Sequence, residues 1–141
     1  MSTFTATSLT PAGSLRSEVD VNGRHTITTD EPESLGGTDL GPAPHELLPA
    51  MLASCISTMI ALYAQQRDWQ LGDVRVEVSY DKDTTPRQVS VEVHLPDGLT
   101  DDQVKRLTRV ANSCPARRAL EAGFTFEEEI HAVTSTAMAG A

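Results

Sequence analysis

Along residues 46–67 the apolar side chains Leu48, Met51, Leu52, Cys55, Met59 and Leu62 recur at spacings of three and four, the period of one helical face. The remaining faces are mild as well: Ala50, Ala53, Ile56, Ile60, Ala61 and Ala64 fill them, and positions 47–64 hold no charged residue. Such a helix predicts protein cover around most of its circumference, more than one small domain supplies. Pro49 cannot donate to a carbonyl four residues back, which sets the expected helix start near Pro49.

Beyond this helix the period changes to two. Val74, Val76, Val78 and Tyr80, then Val89, Val91, Val93 and Leu95, alternate with polar neighbours such as Arg75, Glu77, Glu92 and His94. The turn-rich residues 81–87 between them predict an antiparallel hairpin whose valine face covers the helix. Upstream, residues 14–21 and 24–30 flank Asn22-Gly23, a dipeptide that accepts positive φ at both turn positions and predicts another hairpin. Residues 32–44 concentrate Pro, Gly and acidic side chains and read as a loop.

Downstream, Thr100 and Gln103 have capping-box spacing ahead of a stripe of Val104, Leu107, Val110 and Ala111. That helix is expected to stop before Cys114-Pro115, with a short helix opening on Pro115 and ending at Gly123. Residues 124–133 read as a final strand and residues 135–141 as a frayed tail. Hairpin, loop, helix, hairpin, two helices and strand form a segregated order, which predicts an α+β fold.

With 141 residues the chain is expected to form a single domain over 1–141. Its 20 Asp and Glu against 11 Lys and Arg give a net charge of -9, which opposes phosphate and argues against nucleic acid as a partner. The N-terminus lacks a basic start followed by an apolar run, and no run approaches 18 apolar residues, so the expectation is a cytoplasmic protein without membrane contact. GxSxG, GxxxxGK[ST] and GxGxxG are absent, and His25, His94 and His131 lack metal-ligand spacing. No cofactor and no metal is expected. Glu127, Glu128, Glu129, Asp101 and Asp102 read as solvated or helix-start charges.

Two cysteines are too few for a metal cluster or a disulfide scaffold. Cys55 falls on the apolar stripe, where a dry thiol has a raised pKa, and taken alone it reads as a core residue. Cys114 precedes a helix-starting proline, so it can sit at an N-cap, with Arg117 and Arg118 nearby, which makes it locally the better-activated thiol. A plain N-cap residue beside solvated arginines fits the same local pattern.

The surroundings of the two cysteines are GPAPHELLPAMLASCIS at residues 41–57 and SCPARRAL at residues 113–120. Gly41-Pro42, Pro44, Glu46-Leu47-Leu48 and Ala53-Ser54-Cys55 resemble the first cysteine motif of the OsmC/Ohr family, and Cys114-Pro115 with Arg118 resembles the second. The separation, 114 − 55 = 59 residues, fits the same family, as does Gly36-Gly37 ahead of the first motif. The resemblance implies an OsmC-like intertwined homodimer in which long central helices are covered by antiparallel sheets from both chains. It also implies a thiol-dependent peroxidase that reduces organic hydroperoxides, with Cys55 attacking, Cys114 resolving and a lipoyl-type or other dithiol as reductant. Family members hold the thiolate with a carboxylate after the proline equivalent to Pro44 and with an arginine of the first hairpin. Here His45 stands in the carboxylate's place with Glu46 next to it, and Arg16, ahead of Arg24, is the candidate arginine. Met51, Leu52, Met59 and Leu48 are candidates for an apolar entrance and equally for plain core.

Two rival functions remain open on the sequence. The scaffold can bind a hydrophobic small molecule in its dimer cleft without catalysis, a reading favoured by His45 in place of the carboxylate. Alternatively the cysteines form only a stabilising cross-link, worth about 4 kcal/mol on the loop-entropy account.

Overall fold

The protein is described here by a computed structural model, over residues 3–132. The tail expected to fray, 135–141, and Val133 at the end of the expected last strand lie outside the described residues.

The first sheet contains β1 (Ala6–Leu9), β2 (Ser17–Val21) and β3 (His25–Thr29), all antiparallel, with β2 central. Asn22 (φ 54) and Gly23 (φ 69) make the tight turn between β2 and β3, both with the positive φ that a primed hairpin turn needs. Strand β1 carries no alternating pattern, and the sequence reading did not include it. Its order comes from pairing Ala6 with Val21 and Leu9 with Glu18.

The loop after β3 is organised by Asp30. Its buried carboxylate accepts the Glu31, Thr38 and Leu40 backbone N–H groups and the Thr38 hydroxyl. The Thr38 hydroxyl, with the three amides, outweighs burial and holds the Asp30 pKa down to about 2. Two glycines permit the tight path: a Cβ on Gly41 would meet the Thr28 carbonyl oxygen at 2.5 Å, and one on Gly37 would collide with the Glu31 carbonyl.

Helix α1 (Leu47–Gln66) follows a 3-10 turn at Pro44–Glu46. It starts near Pro49 as expected, with the proline in the first turn, where it lacks only an N–H that has no intrahelical acceptor anyway. Strands β4 (Arg75–Asp81) and β5 (Gln88–His94) form the second hairpin, with Val78 opposite Val91. Helix α2 (Asp101–Asn112) has the expected capping box: Gln103 N–H donates to Thr100 Oγ1, and Thr100 N–H donates to the Gln103 side chain. Helix α3 (Pro115–Ala122) is capped by Cys114 and ends at Gly123 (φ 77).

The core joins Leu52, Ile56 and Ile60 of α1 to Leu107 and Ala111 of α2 and to Cys114, with valines of β4 packed on it. Cover around α1 is therefore one-sided within this chain. Met51 and Leu62 remain 45% and 41% exposed, so this chain alone does not supply the cover expected on most sides of the helix. The segment Pro44–Gln66 is also long and apolar enough to cross a membrane, a test that a core helix passes equally and that a search for an unbroken apolar run does not reveal.

The expected strand over 124–133 does not form over residues 124–132. The alternation of Phe124, Phe126 and Ile130 suits a strand, but a strand exists only with a hydrogen-bonded neighbour, and none pairs with this segment among the described residues. Phe126 is 84% exposed and Ile130 89%.

Candidate active site

Cys55 sits beside the buried stripe of α1 and is half-buried, whereas Cys114, in the turn joining α2 to α3, is wholly buried. Packing α1 against α2 and α3 places Cys55 against the core cluster that contains Cys114, near enough for each thiol to influence the other's ionisation, and both are free cysteines.

Cys114 takes the expected N-cap position, with φ -63 and ψ 143 and Sγ accepting the Arg117 N–H at 3.3 Å. Burial nevertheless dominates its ionisation and pushes the thiol up, with the neighbouring Cys55 adding to the rise against the pull of the Arg117 and Ala116 amides. The view of Cys114 as the better-activated thiol is corrected accordingly: the cap is present, and loss of water outweighs it. The Arg117 guanidinium does not turn to the sulfur either. Its Nε lies 2.8 Å from Glu121 and its other end 3.5 Å from Asn112, while the Arg118 side chain is exposed.

None of the other candidate residues hydrogen-bonds to either sulfur among the described residues. His45 meets Tyr80 edge-on at 5.7 Å between ring centres and, with Glu46 and Pro49, lines a cleft of about 520 Å³ against the β4–β5 hairpin. Cys55 lies eight residues into α1 from Leu47, about 12 Å along the axis, and His45 precedes that start. Arg16 is exposed ahead of β2; its backbone N–H donates to Ser14 Oγ at 2.9 Å, and its guanidinium makes no ion pair among the described residues. Of the entrance candidates, Leu52 is core, Leu48 and Met59 are partly buried against it, and Met51 is exposed.

Three features escaped the sequence reading. A cleft of about 850 Å³ opens between β5 and α2–α3, lined by Leu52, Ile56, Val89, Val91, Val93 and Val104 among others. The alternation had signalled this valine face, but α1 covers β4 and leaves β5 largely bare. The Asp30 hub left no periodic trace, its signal being a lone Asp before a Pro- and Gly-rich loop. Cross-strand pairing also gathers Glu77, Glu92 and His94, all exposed, with Arg75 in an ion pair to Glu77.

The sequence profile of the OsmC-like protein family matches residues 36–129, a span holding both cysteines. Among solved structures, a Psychrobacter arcticus protein ascribed to osmotic stress and detoxification is 27% identical, with 84% of this chain and 87% of that chain covered and a TM-score of 0.65. An organic hydroperoxide resistance protein from Legionella pneumophila is 24% identical over 85% of this chain and 90% of that one, with a TM-score of 0.60. Another from Elizabethkingia anophelis, with thiocyanate bound, is 23% identical over 84% and 88%, with a TM-score of 0.58. None of the curated proteins compared with the chain matches it. The α+β architecture, the paired cysteines and the profile agree: the chain belongs to the OsmC-like protein family.

Proposed function

We propose that this protein is a thiol-dependent peroxidase that reduces organic hydroperoxides through a two-cysteine cycle. The observation that carries the reading is the placing of Cys55 against the core cluster that holds Cys114, two cysteines distant in sequence and unequal in burial. The Cys55 thiolate attacks the outer peroxide oxygen, the O–O bond breaks, and the alkoxide leaves as alcohol with a proton, so sulfur is oxidised to the sulfenic acid. The Cys114 thiolate then attacks Cys55 Sγ, expelling hydroxide that leaves as water and closing a disulfide. A dithiol returns both cysteines to thiols and is itself oxidised to a disulfide.

The half-buried sulfur suits the attacking role, since a peroxide must reach it. The buried one suits resolution, since its only partner is already beside it. The protein acts as a homodimer, a reading supported by the bare flank of α1 and by exposed Phe124, Phe126 and Ile130. Arg16 and His45, neither of which hydrogen-bonds to Cys55 among the described residues, then stabilise its thiolate across the subunit boundary.

The bare valine-lined cleft favours a second reading, in which the scaffold binds a hydrophobic small molecule without turning it over. Multiple-turnover consumption of an alkyl hydroperoxide with dithiothreitol separates the two, with hydrogen peroxide as control oxidant. The peroxidase turns over, Cys55→Ser abolishes turnover, and Cys114→Ser accumulates a sulfenic acid on Cys55. Absence of turnover by the wild type would leave the binding reading.

A further inference from the structure

Strands β4 and β5 have two unlike faces. Val76, Val78 and Val93 pack toward the core around α1, and the residues alternating with them, Arg75, Glu77, Glu92 and His94, are exposed on the opposite face. The register puts Glu77 directly opposite Glu92 and Arg75 directly opposite His94. Two carboxylates facing each other across a ladder repel, which costs stability unless a cation offsets it. Arg75 supplies one cation, and its ion pair engages Glu77 Oε1. Glu77 Oε2 and Glu92 Oε2 meet an imidazole instead: His94 Nε2 lies 3.4 Å from the first and 3.7 Å from the second.

Carboxylates alone would make only a solvated acidic face. The nitrogen changes the chemistry, because one neutral imidazole and two carboxylates are three protein ligands of the kind that an open zinc site uses with a water in fourth place. The spacing agrees. Ligands about 2.1 Å from a tetrahedral zinc stand about 3.4 Å apart. The three donor atoms here all lie within 4.8 Å of one another. Calcium and magnesium prefer oxygen ligands in sixfold or higher coordination and gain little from the imidazole. Spacing along the chain hides this set, since Glu77 reaches Glu92 and His94 only through the strand register.

We infer that Glu77, Glu92 and His94 bind a zinc-like transition-metal ion on the outer face of the β4–β5 hairpin. The ion ties the two strands together toward the open end of the hairpin, away from the turn at residues 82–87 that already joins them. The same strands carry the valines packed on the core around α1, so occupancy stabilises the fold from outside the cysteine site. The inference does not depend on the peroxidase reading.

The test is a zinc chloride titration of the whole protein, followed by the side-chain nitrogen resonances of its 4 histidines in NMR. Because the readout is the imidazole, zinc taken up by the two thiols is not counted. His94 alone is expected to shift and saturate, while His25, His45 and His131 stay in place and magnesium or calcium at the same concentration moves nothing. Glu92→Gln, read at the same His94 resonance, is expected to weaken binding by about tenfold or more. Arg75→Gln is expected to tighten it, because Glu77 then no longer shares its charge with a guanidinium. In His94→Gln the rise in Tm that zinc produces shrinks. Zinc that shifts no histidine or all four alike, magnesium that matches zinc, or a Glu92→Gln variant that binds as tightly as the wild type would reduce the cluster to an acidic face attracting counterions and overturn the inference. A zinc-induced rise in Tm unchanged by His94→Gln would overturn the tying of the strands.

Discussion

Cys114 is wholly buried while Cys55, packed against the same core cluster, is only half-buried, so the fold gives two neighbouring sulfurs unequal access to solvent. Residues from three helices create that inequality: Leu52 and Ile56 of α1 and Leu107 and Ala111 of α2 share one core cluster with Cys114, and Ala116 of α3 packs against it. The Arg117 amide compensates the buried sulfur only in part, because one hydrogen bond does not replace water.

Alkylation follows from this. Under limiting iodoacetamide at neutral pH, the first label is expected on Cys55, because Cys114 is enclosed and its thiol is pushed up by burial. Peptide mass mapping reads the order, and labelling of Cys114 first would remove the structural basis for the assigned roles.

Disulfide formation closes a long loop between α1 and α3. The oxidised protein is expected to be more stable than the reduced one by up to about 4 kcal/mol, less whatever movement the buried Cys114 must make to reach bonding distance. Urea unfolding with and without reductant measures it, and equal midpoints would mean that the bond does not form in the folded chain.

Much of this arrangement was legible in the sequence, element by element. Asn22-Gly23, the Thr100–Gln103 box, the Cys114-Pro115 cap and the alternating valines each encode local geometry in a few adjacent residues, and the structure contains all four. What escaped depends on partners remote in the chain. Strand β1 exists because β2 pairs with it, and residues 124–132 are no strand because none of the described residues pairs with them. Periodicity identified the faces of α1 but not which of them this chain would cover. At the site, the two motifs located both cysteines, while the balance between cap and burial at Cys114 required the packing of three helices.

The Asp30 hub gives a pH signature. Its folded pKa of about 2 lies below the value of about 3.9 expected unfolded, so its stabilisation is complete above the unfolded value and is lost as pH falls from there through about 2. Asp30→Asn is expected to be less stable than wild type at pH 7, with the difference shrinking across that acid window. Chemical unfolding at a series of pH values checks it, and a difference independent of pH would show that the charge of Asp30 contributes nothing.

The glycines of the same loop test its path. Gly37→Ala and Gly41→Ala each drive a methyl into a backbone carbonyl, of Glu31 and Thr28 respectively, and neither carbonyl can rotate aside without disturbing the loop. A loss of about 1–3 kcal/mol is expected for each. Gly13→Ala, whose added carbon meets nothing, carries only the strain of its positive φ and is expected to cost less. Parity among the three in thermal unfolding would contradict this tight path.

The uncovered flank of α1 tests the assembly. Leu62 is 41% exposed and Ile60, two residues away, is fully buried, so they report on different interfaces. Ile60→Ala leaves a cavity inside one chain and is expected to cost about 2–5 kcal/mol. Leu62→Glu places a carboxylate where the proposed homodimer buries a leucine, and light scattering is expected to show one 15.2 kDa chain where the wild type shows two. Helical circular dichroism should survive in that variant, since the stripe of Leu52, Ile56, Ile60 and Ala64 is intact. A wild type that runs as a single chain, or a Leu62→Glu variant that still pairs, would leave the apolar flank of α1 without the proposed cover and remove the shared boundary across which Arg16 and His45 are assigned to act.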